Sequence, residues 1–221
     1  MIDLHFWPTP NGWKITIMLE ETGLPYRLVP VDIGNGAQDA PEFRAISPNG
    51  RMPAIVDPDG PGGKPISIFE SGAILQYLGD KTGRFYPPER RARSAVEAWL
   101  FWQCAGLGPM AGQAAHFRYR EERDEYALNR YVDETRRLYG VLDRRLADVE
   151  YVAGEYSIAD MAIWPWTRGY KGLGVDPAEF PNFHRWFKQV GARDAVRKGA
   201  EIGKDEFARR QREMIKQEVS P

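Results

Sequence analysis

Hydrophobic residues change their spacing along the chain, and this change predicts two regions of different structure. Up to residue 85, short apolar runs alternate with segments whose apolar residues lie three and four apart, as in alternating strands and helices. Beyond it, the helical spacing continues almost throughout. The pattern predicts a mixed α and β first domain over 1–84, a linker at 85–88 and an all-helical second domain over 89–221.

The first region contains four predicted strands and two predicted helices. The strands lie at 2–7, 26–33, 52–56 and 66–69, and the helices lie at 11–21 and 70–81. A helix between the first two strands predicts parallel pairing with a right-handed crossover. The turn-rich connection before the last strand suits an antiparallel hairpin. The order βαβ followed by ββα describes a small sheet with helices packed on it.

The second region is predicted to contain four main helices. The first is long, running from 92 to 110, and is bent near Gly106; the others cover 131–146, the segment starting at Ser157, and 183–190. Ser157 followed by Asp160 forms a capping box, in which each side chain bonds the other residue's backbone N–H. The last twenty residues are rich in charges of both signs, which indicates a solvated helix or a partly disordered tail.

Composition excludes several classes of function. With 30 basic and 31 acidic residues, the chain offers no electrostatic basis for binding nucleic acid or an anionic membrane. No apolar run approaches about 18 residues and the N-terminus does not resemble a signal peptide, so we expect a cytoplasmic protein without a membrane partner. The single cysteine, Cys104, is expected to be a small buried core residue. His5, His116 and His184 have no metal-ligand spacing, so no metal is expected.

Two predicted helix starts carry polar side chains that could bind a ligand. Thr9 and Asn11 lie between the first strand and its helix, where a helix N-terminus stabilises an anion such as a thiolate. Glu70 and Ser71 begin another helix, and a carboxylate beside a hydroxyl suits the ammonium and carboxylate of an amino acid. At both places the alternative is that the side chains only cap the helix.

A proline at the start of the third strand is a further candidate. A cis bond before Pro53 would turn the backbone of Met52 outward, where it could pair with an extended peptide. Composition alone favours a trans bond, because only about 5–6% of X–Pro bonds are cis. Gln38 and Arg51 lie in the neighbouring segments as candidate peptide contacts or as solvated surface.

Taken together, in this order and at these spacings, the motifs resemble the glutathione transferases. The resemblance covers nearly all of 1–200 and is carried by Met-Pro-Ala-Ile at 52–55, Glu-Ser-Gly-Ala-Ile at 70–74 and Ser-Ile-Ala-Asp at 157–160. Pro-Thr-Pro-Asn-Gly at 8–12 and the aromatic segment 99–110 are similar to the bacterial Nu class. The resemblance implies a thioredoxin-like first domain with a cis proline, an all-helical second domain, and a homodimer.

The resemblance also implies a function, a co-substrate and a binding site. The expected activity is glutathione-dependent disulfide reduction; the alternatives are conjugation of glutathione to small electrophiles and a non-catalytic glutathione-binding module. Glutathione would be the bound co-substrate, and Arg130 would reach it from the partner subunit. The residues implied to hold glutathione within one subunit are Gln38, Arg51, Met52, Pro53, Glu70 and Ser71.

The sequence departs from many family members at the thiol-activating position. Those enzymes use a tyrosine, serine or cysteine near the end of the first strand, and here none of these occurs before Tyr26. Our hypothesis is that Thr9 and Asn11 donate hydrogen bonds to the thiolate. Such bonds stabilise an anion by about 1.5–3 kcal/mol each, enough to lower a thiol pKa by roughly one to two units. Bound glutathione could then attack a disulfide without a protein cysteine, if two glutathione molecules share the site.

Overall fold

The computed structural model describes residues 1–122 and 124–205, so most of the predicted charge-rich tail lies outside the described residues. The strands are β1 (Ile2–Phe6), β2 (Tyr26–Pro30), β3 (Ala54–Asp57) and β4 (Ile66–Phe69). The helices are α1 (Pro10–Thr22), α2 (Pro41–Ile46), α3 (Ser71–Thr82), α4 (Arg90–Trp102), α5 (Gly108–Arg118), α6 (Glu125–Asp148), α7 (Ile158–Thr167), α8 (Pro181–Gly191) and α9 (Asp194–Glu201).

The four strands form one mixed sheet in the order β2-β1-β3-β4. β1 runs parallel to β2, with Leu4 opposite Leu28, and antiparallel to β3, with Leu4 opposite Ile55. β3 and β4 are antiparallel. Ile2, Leu4 and Phe6 alternate as buried residues along β1, as a strand with one covered face requires. The predicted thioredoxin-like arrangement of βαβ followed by ββα is confirmed.

The chain divides into two compact units, and the first differs from the expected domain at its end. It consists of Met1–Tyr86 together with Asp194–Lys204, whereas the sequence assigned everything from 89 onward to the helical domain. α9 packs on α1, where Thr16 Oγ1 donates a hydrogen bond to Gly199 O at 2.8 Å. A Cβ on Gly199 would lie 2.7 Å from the Ile17 backbone, so glycine permits this close approach.

The second unit, Pro87–Arg193, is helical as expected. The predicted long bent helix is α4 and α5 joined by a π-helical turn at Gln103–Leu107. Leu138, Leu142 and Leu146 recur every four residues on α6 and are buried, and α8 packs against this helix. In the described part of the chain, no helix is both long enough and apolar enough to cross a membrane.

Candidate functional site

Thr9 closes the start of α1 and also contacts the loop before β3. Its Oγ1 accepts a hydrogen bond from the Gly12 N–H at 3.3 Å and donates one to Met52 Sδ at 3.4 Å. The capping interpretation of Thr9 is therefore confirmed. A thioether is a weak acceptor, so the hydroxyl proton of Thr9 remains available to a stronger one.

Gly12 allows the start of α1 to lie against this loop. A Cβ at Gly12 would lie 2.3 Å from Trp7 O and 3.0 Å from Met52 Cε, closer than a side chain can come. The half-buried Asn11 precedes it in the first turn of α1. The glycine thus holds the helix terminus and its two polar residues close to Met52.

The loop before β3 contains the expected cis bond. The Met52–Pro53 peptide bond is cis, as the resemblance implied and in contrast to the trans bond favoured by composition alone. Both residues are buried, while Arg51 is exposed. Ser47 Oγ donates a hydrogen bond to Arg51 O at 2.8 Å, which fixes the backbone of the loop at the residue before Met52.

The start of α3 has an unusual backbone at Glu70. This residue has φ 69° and ψ 117°, a region that residues with a Cβ rarely adopt. Strain of this kind costs about 1–3 kcal/mol and is concentrated at functional sites. Glu70 is exposed, whereas Ser71, the first residue of α3, is only 8% exposed. The strained residue therefore places a carboxylate outside and a hydroxyl inside the same turn.

These three segments enclose one cavity in the first unit. Its volume is about 200 Å³, and most of its lining was predicted from the sequence. The cavity wall contains one cationic and one anionic side chain, together with amide and hydroxyl groups that can both donate and accept hydrogen bonds. The lining residues are Asn11, Asn49, Arg51, Met52, Pro53, Glu70 and Ser71.

A lysine lies directly behind this wall. Lys14, in the second turn of α1, is only 2% exposed, and its Nζ donates a hydrogen bond to Ser71 Oγ at 3.2 Å. This residue is not among those predicted from the sequence. The signal available in the sequence was a charged residue between two apolar ones, Trp13 and Ile15, in a segment that the structure shows to be buried. Asn49 was also missed, and in the sequence it is one more polar residue of a turn.

Gln38 is near the cavity loop but is not among the lining residues. Its Nε2 donates a hydrogen bond to Asp39 Oδ2 at 3.3 Å, and among the described residues its buried Oε1 has no hydrogen-bond partner. A Cβ on Gly50 would lie 3.3 Å from Gln38 O, so the Gln38 backbone adjoins the residue before Arg51. The structure thus brings Gln38 to the loop but not into the wall.

Arg130 lies in the second unit, on α6. It is exposed and lines a separate hollow of about 840 Å³. The hollow contains an ion pair between Arg137 and Glu134 at 2.7 Å. The other lining residues are Met110, Tyr126, Asn129, Tyr131 and Asp133.

Cys104 is not the buried core residue that we expected. It lies in the π-helical turn between α4 and α5 and is half-buried, and its Sγ donates a hydrogen bond to Gln103 Oε1 at 3.5 Å. A π turn adds one residue to the helical repeat and shifts which side chains face inward. Here Gln103 takes the fully buried position beside the cysteine.

Comparison with known proteins shows which family the chain resembles. Residues 9–81 match the model for the glutathione S-transferase N-terminal domain, and residues 107–194 match that for the C-terminal domain. Disulfide-bond oxidoreductase YfcG of Escherichia coli (strain K12) is 52% identical over 199 residues, which cover 89% of this chain and 93% of that protein.

Solved structures agree with this match. A glutathione transferase from Pseudomonas putida, with one glutathione disulfide bound per subunit, is 43% identical, has a TM-score of 0.86 and is aligned over 91% of both chains. A glutathione transferase family member from Pseudomonas fluorescens Pf-5, with two glutathione bound, is 45% identical with a TM-score of 0.86. That alignment covers 90% of this chain and 92% of the other.

Proposed function

The chain belongs to the glutathione S-transferase family, and from this membership we propose that it is a glutathione-dependent disulfide-bond oxidoreductase. The observation that carries the proposal is the 52% identity, over nearly the whole length of both chains, to a relative with that activity in its name. The polar cavity of the first unit, with its helix terminus and charged wall, supports glutathione as the co-substrate.

In the proposed complex the γ-glutamyl end of glutathione lies at the start of α3. Its ammonium pairs with the Glu70 carboxylate, and its α-carboxylate accepts hydrogen bonds from the Ser71 hydroxyl and the helix N-terminus. The cysteinyl backbone pairs with Met52 beside Pro53. Arg51, which lines the cavity, suits the second carboxylate.

The thiol of glutathione is proposed to lie at the start of α1. There the Thr9 hydroxyl exchanges its weak contact with Met52 Sδ for a stronger bond to the thiolate. The half-buried Asn11 amide, which lines the cavity, donates a second bond. Both bonds favour the ionised thiol and therefore lower its pKa.

The proposed reaction uses two glutathione molecules and one disulfide. The first glutathione thiolate attacks a substrate sulfur, forms a mixed disulfide and expels the other sulfur as a thiolate, which takes up a proton. The second thiolate attacks the glutathione sulfur of that mixed disulfide and releases glutathione disulfide and the second substrate thiol. Two electrons pass from glutathione to the substrate, and Cys104 takes no part. Relatives with bound glutathione disulfide and with two bound glutathione molecules support this stoichiometry.

We further propose a cytoplasmic homodimer in which Arg130 of one subunit reaches the glutathione held by the other. The hollow around Arg130 contains Tyr126, which is 77% exposed, and a large exposed aromatic residue is typical of an interface. A reaction driven by thiols also suits a reducing compartment. Light scattering should give a dimer mass, and Arg130→Ala should raise the KM for glutathione.

The decisive experiment is a coupled assay with hydroxyethyl disulfide, glutathione and glutathione reductase, in which NADPH loss is followed. Thr9→Val removes the hydroxyl but keeps the side-chain shape, and we expect kcat/KM to fall about 10- to 100-fold with the loss of one charge-assisted bond. Thr9→Ser keeps the hydroxyl and should retain activity. Asn11→Ala should also reduce activity, whereas Cys104→Ala should have no effect.

Thr9→Val also removes a helix cap, so a matched control is needed. Asp124 caps α6 by accepting a hydrogen bond from the Ala127 N–H at 2.9 Å, and Asp124→Ala removes a cap without changing a cavity residue. This variant should lose stability and keep its activity. Turnover of chlorodinitrobenzene alone would assign the chain to conjugation instead. Glutathione binding without either reaction would indicate a binding module.

A further inference from the structure

The lysine behind the cavity wall is unusually deeply buried for a charged side chain. Lysine side chains are almost never fully buried unless they are paired. Lys14 is 2% exposed and donates from Nζ to Ser71 Oγ at 3.2 Å. This hydrogen bond joins α1 to α3 at the residue proposed to receive the γ-glutamyl carboxylate.

The direction of this hydrogen bond determines what the serine can do. A lysine ammonium has three donors and no acceptor, so in this pair Ser71 Oγ must be the acceptor. The hydroxyl proton of Ser71 is then directed away from Lys14. Because Ser71 lines the cavity, this proton can point to a ligand there.

Charge complementarity points to the same role. The cavity wall contains one cation, Arg51, and one anion, Glu70, which balance each other. Glutathione carries two carboxylates and one ammonium, so it is a net anion. Lys14 places a further cationic side chain next to Ser71, at the wall of the cavity.

We propose that Lys14 is a positioning residue that holds the Ser71 hydroxyl as a donor toward the α-carboxylate of the γ-glutamyl group. The inference rests on the proposed function, because it takes glutathione as the ligand. It explains why a charge is placed inside the buried run of α1. It also assigns the selectivity for this carboxylate to a residue outside the cavity wall.

The test compares two ligands that differ only at the γ-glutamyl carboxylate. S-Methylglutathione carries this carboxylate, and the S-methyl derivative of γ-aminobutyryl-cysteinyl-glycine lacks it. Lys14→Met should weaken binding of S-methylglutathione about 10- to 100-fold in calorimetry, and binding of the second ligand less than about threefold. In the coupled assay, the KM for glutathione should rise more than kcat falls.

Lys81→Met is the matched control at the other end of α3. Lys81 forms an ion pair with the buried Asp57 at 2.9 Å and does not line the cavity. This variant should lose stability and bind both ligands as the wild type does. Lys14→Gln, which keeps an N–H donor without the charge, should discriminate between the ligands to an intermediate degree, and it provides the comparison if Lys14→Met does not fold.

Each outcome decides the proposal. Equal weakening of both ligands by Lys14→Met or Lys14→Gln would mean that Lys14 only supports the fold, and would overturn the inference. Unchanged binding of both would overturn it as well. Failure of the wild type to bind S-methylglutathione would instead reject the proposed function, on which the inference depends.

Discussion

Two buried charges, one in each unit, differ in what they contact. Asp160, at the start of α7, is fully buried, and its carboxylate accepts hydrogen bonds from the Val152 N–H at 3.1 Å, the Ser157 N–H at 3.0 Å and Trp186 Nε1 at 2.8 Å. All three donors belong to the packed interior of the helical unit. Lys14 instead donates to Ser71, whose side chain lines a cavity.

The comparison shows how a buried charge can serve either the fold or a ligand. Around Asp160, the predicted capping box is present, and Ser157 Oγ accepts from the Ala159 N–H at 3.3 Å. All members of this hydrogen-bond network lie inside the helical unit, so its loss should lower the free energy of unfolding. The hydrogen bond from Lys14 to Ser71 reaches the wall of a cavity, so its loss should appear mainly in ligand binding.

The largest effect is expected for Asp160→Ala. The substitution leaves several buried donors without an acceptor, so the unfolding free energy should fall by about 3–5 kcal/mol. Urea denaturation would measure this change. The control Asp124→Ala removes an exposed cap of α6 and should cost about 1 kcal/mol. If both variants lost the same unfolding free energy, the hydrogen bonds of Asp160 would contribute no more to stability than an exposed helix cap does.

The pH dependence of the same carboxylate gives the next effect. Burial raises the pKa of Asp160 to about 6 from its usual 3.8, against the opposing hydrogen bond from Trp186. A raised carboxyl pKa stabilises the fold fully below pH 3.8, and this contribution is lost as the pH rises through 6.

The measurement compares wild type with Asp160→Asn by denaturation between pH 4 and 7. The unfolding free energy of the wild type, relative to that of Asp160→Asn, should decrease by up to about 3 kcal/mol as the pH rises. Each unit by which the pKa is raised is worth about 1.4 kcal/mol. All other titrating groups are common to both proteins and cancel. If this difference in unfolding free energy stayed constant or grew with pH, the hydrogen-bond donors around Asp160 would outweigh its burial, and its pKa would not be raised.

Glu70→Gly should separate stability from binding at the cavity. Glycine adopts φ 69° without a Cβ clash, so relief of about 1–3 kcal/mol of strain should offset its larger entropy loss of about 1 kcal/mol on folding. Thermal unfolding should therefore occur at the same temperature or higher, while glutathione affinity falls. Glu70→Gln retains the strain and should lose affinity without gaining stability. A destabilised glycine variant would show that Glu70 supports the fold.

Most of the fold could be predicted from the spacing of apolar residues, and the exceptions have physical reasons. The strands and the longer helices show their periods over enough residues, and the capping box marks the start of α7 at Ser157. The six residues of α2 are too few to show a helical period. α9 comes after a series of helices in the sequence and was therefore assigned to the helical domain. Its packing on α1 depends on a close approach at Gly199, which the spacing of apolar residues does not reveal.

The candidate site was predictable where it lies on helix starts. Turn and helix-start residues such as Asn11 and Ser71 are recognisable because they place polar groups at unpaired backbone N–H groups. Lys14 was not, because a lysine in a helix is usually solvated, and only the three-dimensional packing buries it against α3. Asn49 comes to the wall through a loop whose path depends on contacts distant in sequence.

Tyr139→Phe gives the smallest effect and completes the comparison with a buried polar group that has no charge. Tyr139 is fully buried, its ring lies edge-on to Phe183 at 4.9 Å, and among the described residues its hydroxyl has no hydrogen-bond partner. Removing the hydroxyl should therefore leave stability unchanged or raise it by up to about 1 kcal/mol, as measured by urea denaturation. In the control Tyr77→Phe, the lost hydroxyl donates to Asp57 Oδ2 at 2.6 Å, so stability should fall. A loss of stability in both variants would indicate that the Tyr139 hydroxyl has a hydrogen-bond partner. This buried polar group of the helical unit would then be paired, as those around Asp160 are.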